Sequence, residues 1–585
     1  MNQNNTLPIG LSNLAAIHSF GFSFVDKTDR IARLAAHRGI FLFTRPRRFG
    51  KSTTLSALAE LFAHGTDKLQ GLKAARLNLW QDRRYTVISL DFTEFDSSLR
   101  GTDFKTEFAD YICTEFEDAG LELPPEDTAE ATFRALDEAL AQAPQQEYVL
   151  LVDEADRPYN VAEDAEPQEL KARKDLYQRF LSVIAANESK FRFVLFTGIT
   201  SILPDVDLQP IPALKDLSFD PECNALAGFT LEEIKENFEP FLTAAAERLN
   251  QQTGSGSWTA ELVLQEIEQH YGQWCFCPQA PERLYCPWDI LNFLLSPEPT
   301  FGSCWLTTGG GEKHLLHHLC AQQSSSTAVL GFLGDFLNPN CTLRASQKQL
   351  SCSIKVKQDA AYPALTLLYQ CGYLTIKGGD EQCLQLGPAT TEIRRYFAAL
   401  VHSQYAAVKG VGLLVSCSVR QLDFAAGLKQ RSFQLLQKNC NMLLRIFRLT
   451  SAPEVLHAAL GTSAALRAQF CRDALYLSAV LQELNCYHGP AGCPCFAIEL
   501  EDRIFLIEVK DADDADEVSA TSSSNSASST DLLQQELTAG KEVIRLTLTV
   551  RLQSSSIDVD EDGKALLQPE VVSVQALPLP SPPQP

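Results

Sequence analysis

Short, almost uninterrupted apolar runs recur through the first 230 residues, separated by stretches whose apolar positions fall at helical spacing. Ile40 to Thr44 is the first run, and Thr53 to Phe62 then carries apolar residues every three or four positions. Val87 to Phe92, Tyr148 to Val152 and Phe193 to Phe196 are the next three. Runs this uniformly apolar suit strands covered by helices on both faces, so the pattern predicts a mostly parallel α/β sheet. A helix over Leu170 to Ala186 falls between the third and fourth strands, as a crossover requires. The fourth strand ends at Thr197-Gly198, and its polar end is predicted to lie between the first and third strands.

Beyond this region the pattern becomes helical from 231 to 330, interrupted by the Cys- and Pro-bearing stretch Trp274 to Pro287. Residues 331–400 read as a small helical or winged-helix unit closing on a strand pair around Tyr373 to Ile376. Residues 401–485 are helical again. A strand pair follows at Phe496 to Leu500 and Ile504 to Val509, with a turn at Glu501-Asp502-Arg503. Asp511 to Thr530 is acidic and then serine-rich, a composition that cannot bury a core and predicts disorder. Leu532 to Leu537 resumes a helix, Glu542 to Leu552 forms the last strands, and a Pro-rich tail starts at Pro578. The organisation expected is four parts: 1–230, 231–330, 331–400 and 401–585, the last carrying the insertion 511–530.

Composition narrows the function. A formal charge of −23 argues against a broad, non-specific grip on nucleic acid, without excluding a local basic groove. No stretch approaches the roughly 18 consecutive apolar residues that span a bilayer, and the first residues lack the pattern of a signal peptide. The expectation is an intracellular, cytoplasmic protein without a membrane partner. The 17 cysteines include no Cys-x-x-Cys pair, and Cys275-x-Cys277 and Cys493-x-Cys495 are spaced too tightly for the usual zinc hairpin. They read as free thiols. His314, His317, His318 and Cys320 lie close together on a predicted helix, but no further ligand is identifiable, so they read as helix surface.

The strongest chemical signal is Arg45-Pro46-Arg47-Arg48-Phe49-Gly50-Lys51-Ser52, placed between a strand and a helix. A phosphate-binding loop turns backbone N–H groups toward anionic oxygens and aims a helix start at them. Arg47, Arg48, Phe49, Gly50, Lys51, Ser52 and Thr53 would form it. Gly50 permits close approach, Lys51 would reach the β- and γ-phosphates, and Ser52 would ligate Mg²⁺. The usual pattern has a glycine where this chain has Arg45. The third strand ends in Asp153-Glu154, at the carboxyl edge where open α/β sheets bind ligands. Asp153 would hold Mg²⁺ through water and Glu154 would polarise the attacking water. Thr197 would contact the γ-phosphate or the water, or merely close a strand. Arg47 and Arg48 would either stabilise charge on the γ-phosphate or pair with acids of a neighbouring region.

With these residues in view the chain resembles the AAA-ATPase-like family whose members carry a C-terminal PD-(D/E)XK nuclease-superfamily domain. The resemblance rests on Leu7 to Gly10, Phe24 to Thr28, Arg45 to Ser52, Val87 to Phe92, Asp153-Glu154 with Asp156, and Thr197-Gly198. Further along it rests on Ser218 to Pro221, Gly228 to Thr230, Tyr271-Gly272, Pro287 to Phe293, Trp305 to Gly309 and Gly372 to Lys377. In that family Arg45 belongs to the loop. The resemblance implies an ASCE-type P-loop NTPase sheet at 1–230, a helical lid at 231–330, a winged-helix-like region at 331–400, and an α+β restriction-endonuclease-like domain at 401–585. It also implies ATP and Mg²⁺, and places Phe24 to Lys27 near the base.

The nuclease domain of that family needs two carboxylates and a lysine on neighbouring strands. Glu508-Val509-Lys510 fits the second strand, but the acid expected on the first falls at Cys495 and the arginine near Cys493. The acid expected before the preceding helix is replaced by Arg467-Ala468-Gln469. The domain therefore reads as a degenerate nuclease fold, with Glu508 and Lys510 left from its site. Alternatively these two residues are the polar face of a strand. The functional expectation is ATP binding and Mg²⁺-dependent hydrolysis coupled to that domain, with a nucleotide-controlled nuclease on DNA or RNA and a non-hydrolysing ATP-bound scaffold as rivals. Oligomeric state, a homo-oligomer included, is not fixed by the sequence.

Overall fold

The computed structural model describes residues 6–94, 101–126, 128–157, 167–201, 214–280, 282–308, 343–351 and 362–390, then 392–393, five later strands and isolated helical positions. The chain divides into two compact units, Met1–His314 with Arg344–Glu392, and Leu315–Leu343 with Ile393–Pro585.

The first unit opens with α1 (Leu14–Ser19), α2 (Thr28–Ala36), β1 (Gly39–Thr44), α3 (Lys51–His64) and the single turn α4 (Lys73–Arg76). It continues with β2 (Thr86–Asp91), α5 (Gly101–Asp118), α6 (Ala129–Gln142), β3 (Tyr148–Asp153), α7 (Pro167–Ala186), β4 (Phe191–Gly198) and β5 (Leu214–Asp216). The five strands form one parallel sheet in the order β2-β3-β4-β1-β5. Every residue of β3 and β4 is buried, as strands covered on both faces require. On one face Ile40, Leu42, Leu150, Val152, Val194 and Phe196 pack into a cluster with Phe108, Phe133 and Phe180 of the surrounding helices. On the other, Phe193 lies against Phe41 and Phe62 at ring separations of 5.1 and 5.2 Å.

The predicted strands form with small shifts at their ends. The helix after β1 starts at Lys51, two residues before the apolar spacing begins, because the loop itself delivers the chain into the helix. Phe92 leaves the second strand and opens a 3-10 turn, Phe92–Glu94. Strand β5 has three residues, too few for a periodicity to register. As predicted, β4 lies between β1 and β3, with Phe43 opposite Thr197 and Thr44 opposite Gly198. The carboxyl ends of these three strands are thereby adjacent.

Next come α8 (Leu231–Thr253), α9 (Ala260–Tyr271) and α10 (Pro287–Leu295). Thr230 and Glu233 close a capping box at the start of α8. Ile234, Phe238, Val263, Ile267 and Leu294 of these helices form a second core, which also takes in Leu7 and Val25 from the start of the chain. Residues 343–390 supply β6 (Leu343–Ala345), α11 (Gln347–Leu350), α12 (Tyr362–Gln370), β7 (Leu374–Asp380) and β8 (Cys383–Pro388). Strands β7 and β8 form the expected antiparallel pair, within a sheet ordered β6-β8-β7.

In the second unit β9 (Asn485–His488), β10 (Cys495–Leu500), β11 (Arg503–Asp511), β12 (Glu542–Val559) and β13 (Ala565–Leu577) form a mixed sheet in reverse sequence order. Strands β10 and β11 are antiparallel, and β12 runs parallel to β11. Leu500 pairs with Arg503, so Arg503 belongs to the strand and only Glu501 and Asp502 separate the two. The histidine group at 314–318 with Cys320, the stretch 512–530, the helix expected over Leu532 to Leu537 and the tail from Pro578 lie outside the described residues. Among the described residues no helix is long and apolar enough to cross a membrane.

Candidate nucleotide site

The loop between β1 and α3 is built so that its carbonyls face the protein. The Arg45 carbonyl accepts from Lys51 Nζ at 3.1 Å, and the Pro46 carbonyl from the same ammonium at 3.4 Å. Arg47 O accepts from the indole of Trp305 at 3.1 Å, and Arg48 O from the thiol of Cys286 at 3.7 Å. Phe49 O accepts from Gly228 N at 2.8 Å, and Gly50 O from Thr54 N and Thr54 Oγ1. Gly50 precedes α3 with φ +97°, a conformation that side chains with a Cβ rarely adopt. The N–H groups of Lys51, Ser52 and Thr53 then open the helix, with no carbonyl inside it to bond. This is the wiring of an anion cradle.

Each side chain of the loop meets a residue distant in sequence. Phe49 is fully buried between Trp274 and Phe276, and Gly228 leaves room for it, since a Cβ there would sit 3.2 Å from the ring. Gly372, at φ +89°, lets Pro46 approach to 2.7 Å of where a Cβ would be. The Arg47 guanidinium lies over Trp305 and the exposed Arg48 over Trp288, at 5.0 and 4.4 Å. Arg48 also has φ +65°. The two arginines therefore rest on indole faces of this same unit, beside the loop.

Arg45, where the common pattern has glycine, is 1% exposed. Its φ is not among the positive ones, so the position has no need of glycine. The guanidinium donates to Thr44 O and Ser218 O at 2.8 Å and, less closely, to Cys223 O and Asn224 O. The rings of Phe43 and Phe276 cover its two faces at 4.4 and 4.3 Å. Burial pulls its pKa down to about 10. Arg45 thus locks the start of the loop to the segment after β5.

The acidic side of the site comes from β3 and β4. Ser52 Oγ donates to Asp153 Oδ2 at 2.5 Å, and Thr197 Oγ1 donates to Asp153 Oδ1 at 2.7 Å. Glu154 follows in the left-handed region, φ +49°, which is uncommon for a residue with a side chain. Its carboxylate lies 3.7 Å from Lys51 Nζ. Burial raises the Glu154 pKa, and the neighbouring acids Asp156 and Asp153 push the same way, while Lys51 opposes them. Asp156 is buried and accepts from Ile199 N, Thr200 N and Thr200 Oγ1. The structure therefore brings Lys51, Ser52, Asp153, Glu154 and Thr197 together at one strand edge.

The donor set fits a small hard cation. A hydroxyl and a carboxylate oxygen meet at Ser52 and Asp153, with no sulfur or imidazole between them. Among the described residues no group of three or more His, Cys, Asp or Glu could hold a metal by itself. Such a pair suits Mg²⁺ that takes its other ligands from phosphate and water.

Phe24 to Lys27 is engaged with the start of α8: Lys27 Nζ donates to both oxygens of Glu233 at 2.7 and 2.8 Å and to Ala225 O at 2.9 Å. On β11, Glu508 stands opposite Cys495 of β10, and Lys510 lies two residues further along the same strand.

The parallel sheet with a lysine-bearing loop after its first strand is an arrangement that suits nucleotide binding. Residues 8–206 match the AAA-ATPase-like family, described as a predicted AAA-ATPase, and the match and the sheet together point to nucleotide binding. The chain is also 26% identical over 376 residues to an uncharacterized protein in the vnfD 5′ region of Azotobacter chroococcum mcd 1. That alignment covers 63% of this chain and spans 64% of the length of the curated relative.

Proposed function

We propose that the first unit binds ATP with Mg²⁺ and hydrolyses it. The observation that carries this reading is the convergence of Ser52, Asp153 and Thr197 through bonds of 2.5 and 2.7 Å, with Lys51 and Glu154 alongside. The N–H groups at the start of α3 and the loop residues Arg47 to Thr53 receive the phosphates. Lys51 exchanges its carbonyl partners for the β- and γ-phosphate oxygens. Ser52 and Asp153 would hold Mg²⁺, which would supply neutralisation of charge on the phosphates. Glu154 takes a proton from the attacking water, and its raised pKa suits it to that task at near-neutral pH. Thr197 fixes the Asp153 carboxylate and contacts the γ-phosphate or the water. Arg48, exposed at the loop and resting on Trp288, would offset charge as the bond breaks.

The second unit is read as a nuclease-like fold that does not cleave. Glu508 and Lys510 would supply one carboxylate and one amine, and the residue in register with Glu508 on the neighbouring strand, Cys495, is not an acid. Nucleotide state in the first unit would be transmitted to it. Two variants test the hydrolytic reading. Lys51→Ala should lose Mg²⁺-ATP binding, while Glu154→Gln should bind ATP and release no phosphate. Normal hydrolysis by Glu154→Gln removes the assignment of the base. Binding without release by the wild type leaves an ATP-stabilised scaffold.

A further inference from the structure

The segment that leaves β4 is pinned at every residue. Gly198 O accepts from Arg45 N at 3.2 Å, and Gly198 itself is pressed against Asp156, whose Oδ1 would lie 2.5 Å from any Cβ. Ile199 N and Thr200 N donate to the two oxygens of the same carboxylate. Ser201 N then donates to Gln370 Oε1 at 3.1 Å, across 169 residues of sequence. Gln370 is 5% exposed, and its Nε2 donates to Leu350 O at 2.7 Å. One carboxamide therefore joins the strap after β4 to both helices of the 343–390 region.

The same end of α12 also meets the phosphate loop. Tyr369 stacks on Phe219 and hydrogen-bonds Phe276 O, beside the ring that covers Arg45. Gly372 admits Pro46, as described above. Trp274 Nε1 donates to Gly372 O at 3.1 Å, in the turn after α12. The end of α12 thus touches both the loop and the strap.

From these contacts we infer that Gln370 is a positioning residue of the nucleotide site and carries its state to α11 and α12. This rests on the reading of the site as one that binds and hydrolyses ATP. The physical path is continuous. Thr197 is bonded to Asp153, which is bonded to Ser52. If Ser52 and Asp153 part to admit phosphate and a cation, Thr197 would follow the carboxylate to which it is bonded. Gly198 cannot slide past Asp156, so the displacement passes along the strap to Ser201 and the Gln370 carboxamide. Coupling over such a distance requires packed or hydrogen-bonded groups in contact throughout, and here each link is present.

The test uses the full chain. Hydrogen exchange is followed at residues 50–56, 197–201 and 347–351, with and without Mg²⁺-ATP, in wild type and in Gln370→Met. Methionine keeps the size of the side chain and removes the hydrogen bonds to Ser201 N and Leu350 O. In the wild type ATP should slow exchange in all three segments. In Gln370→Met the slowing at 50–56 should remain and that at 347–351 should vanish. The ATP dissociation constant should stay within about threefold while turnover falls about tenfold, because the binding loop is intact and the strap is not. A wild type that responds at 50–56 but not at 347–351 overturns the relay and leaves the nucleotide reading standing, even if the variant does not fold. Persistence of the 347–351 response in Gln370→Met, or unchanged turnover, overturns it equally. No response at 50–56 and no phosphate release overturns both.

Discussion

Replacing Arg45 by methionine removes a charge from the interior, yet the structure predicts a loss of stability. Two carbonyl acceptors at 2.8 Å, Thr44 O and Ser218 O, would be left buried without that donor. Each such group costs about 1–3 kcal/mol. The ring faces of Phe43 and Phe276 lose a desolvated cation, about 1–2 kcal/mol each. Against this stands the cost of keeping the guanidinium charged inside the protein. A pKa lowered from 12.5 to about 10 corresponds to about 3 kcal/mol returned when the charge is removed. The balance is a destabilisation of about 4 kcal/mol, within a range of about 1–7. Urea unfolding followed by tryptophan fluorescence, with Trp274 and Trp305 beside the loop, reads it directly. ATP affinity should fall as well, since the Arg45 carbonyl is an anchor of Lys51. A loss below about 1 kcal/mol with unchanged affinity would refute the reasoning. So would a stable, tightly binding Arg45→Gly, which restores the common glycine of the loop pattern.

Three further outcomes are expected. Gly198→Ala drives a methyl group into Asp156 and should cost about 1–3 kcal/mol as well as turnover, measured by melting and phosphate release; adding Asp156→Ala should recover part of the stability. Glu154 works as a carboxylate, and its pKa is raised, so kcat should fall with decreasing pH along an acid limb lying above the ordinary glutamate value of 4.5; a limb at or below that value contradicts its burial. Asp289 is buried beneath Trp305 N and Ser303, with its pKa raised from 3.8 to about 6. A carboxyl whose folded pKa is raised contributes its stability fully below the unfolded value and loses it as pH climbs toward the folded one. Wild type should therefore lose about 2 kcal/mol relative to Asp289→Asn between pH 4 and pH 7, read from paired melting curves.

The strands of the first sheet were legible because each is a closed apolar run bounded by polar ends. The positions of Lys51 at a helix start and of Asp153 and Glu154 at a strand end were legible because each follows from the local pattern. The role of Arg45 was not, since its partners lie at Ser218, Asn224 and Phe276, and no local pattern reports a pairing across 170 residues or more. Segments noticed only as resembling a family acquire a physical meaning in the fold. Ser218 meets Thr44 and Arg45, Gly228 meets Phe49, Trp288 meets Arg48, Trp305 meets Arg47, and Gly372 meets Pro46. Each steadies one residue of the loop. Gln370 carried no signal at all, because a buried carboxamide on a helix reads as any polar position until partners such as Ser201 N and Leu350 O are known.

The most direct test of the central claim is Mg²⁺-dependent phosphate release from ATP by the full chain, wild type beside Glu154→Gln, with ATP binding measured on the same preparations. The account predicts release by the wild type that disappears when Mg²⁺ is chelated, and a variant that binds ATP as tightly yet releases none. Equal release by both proteins, or none by a wild type that binds ATP, would contradict it.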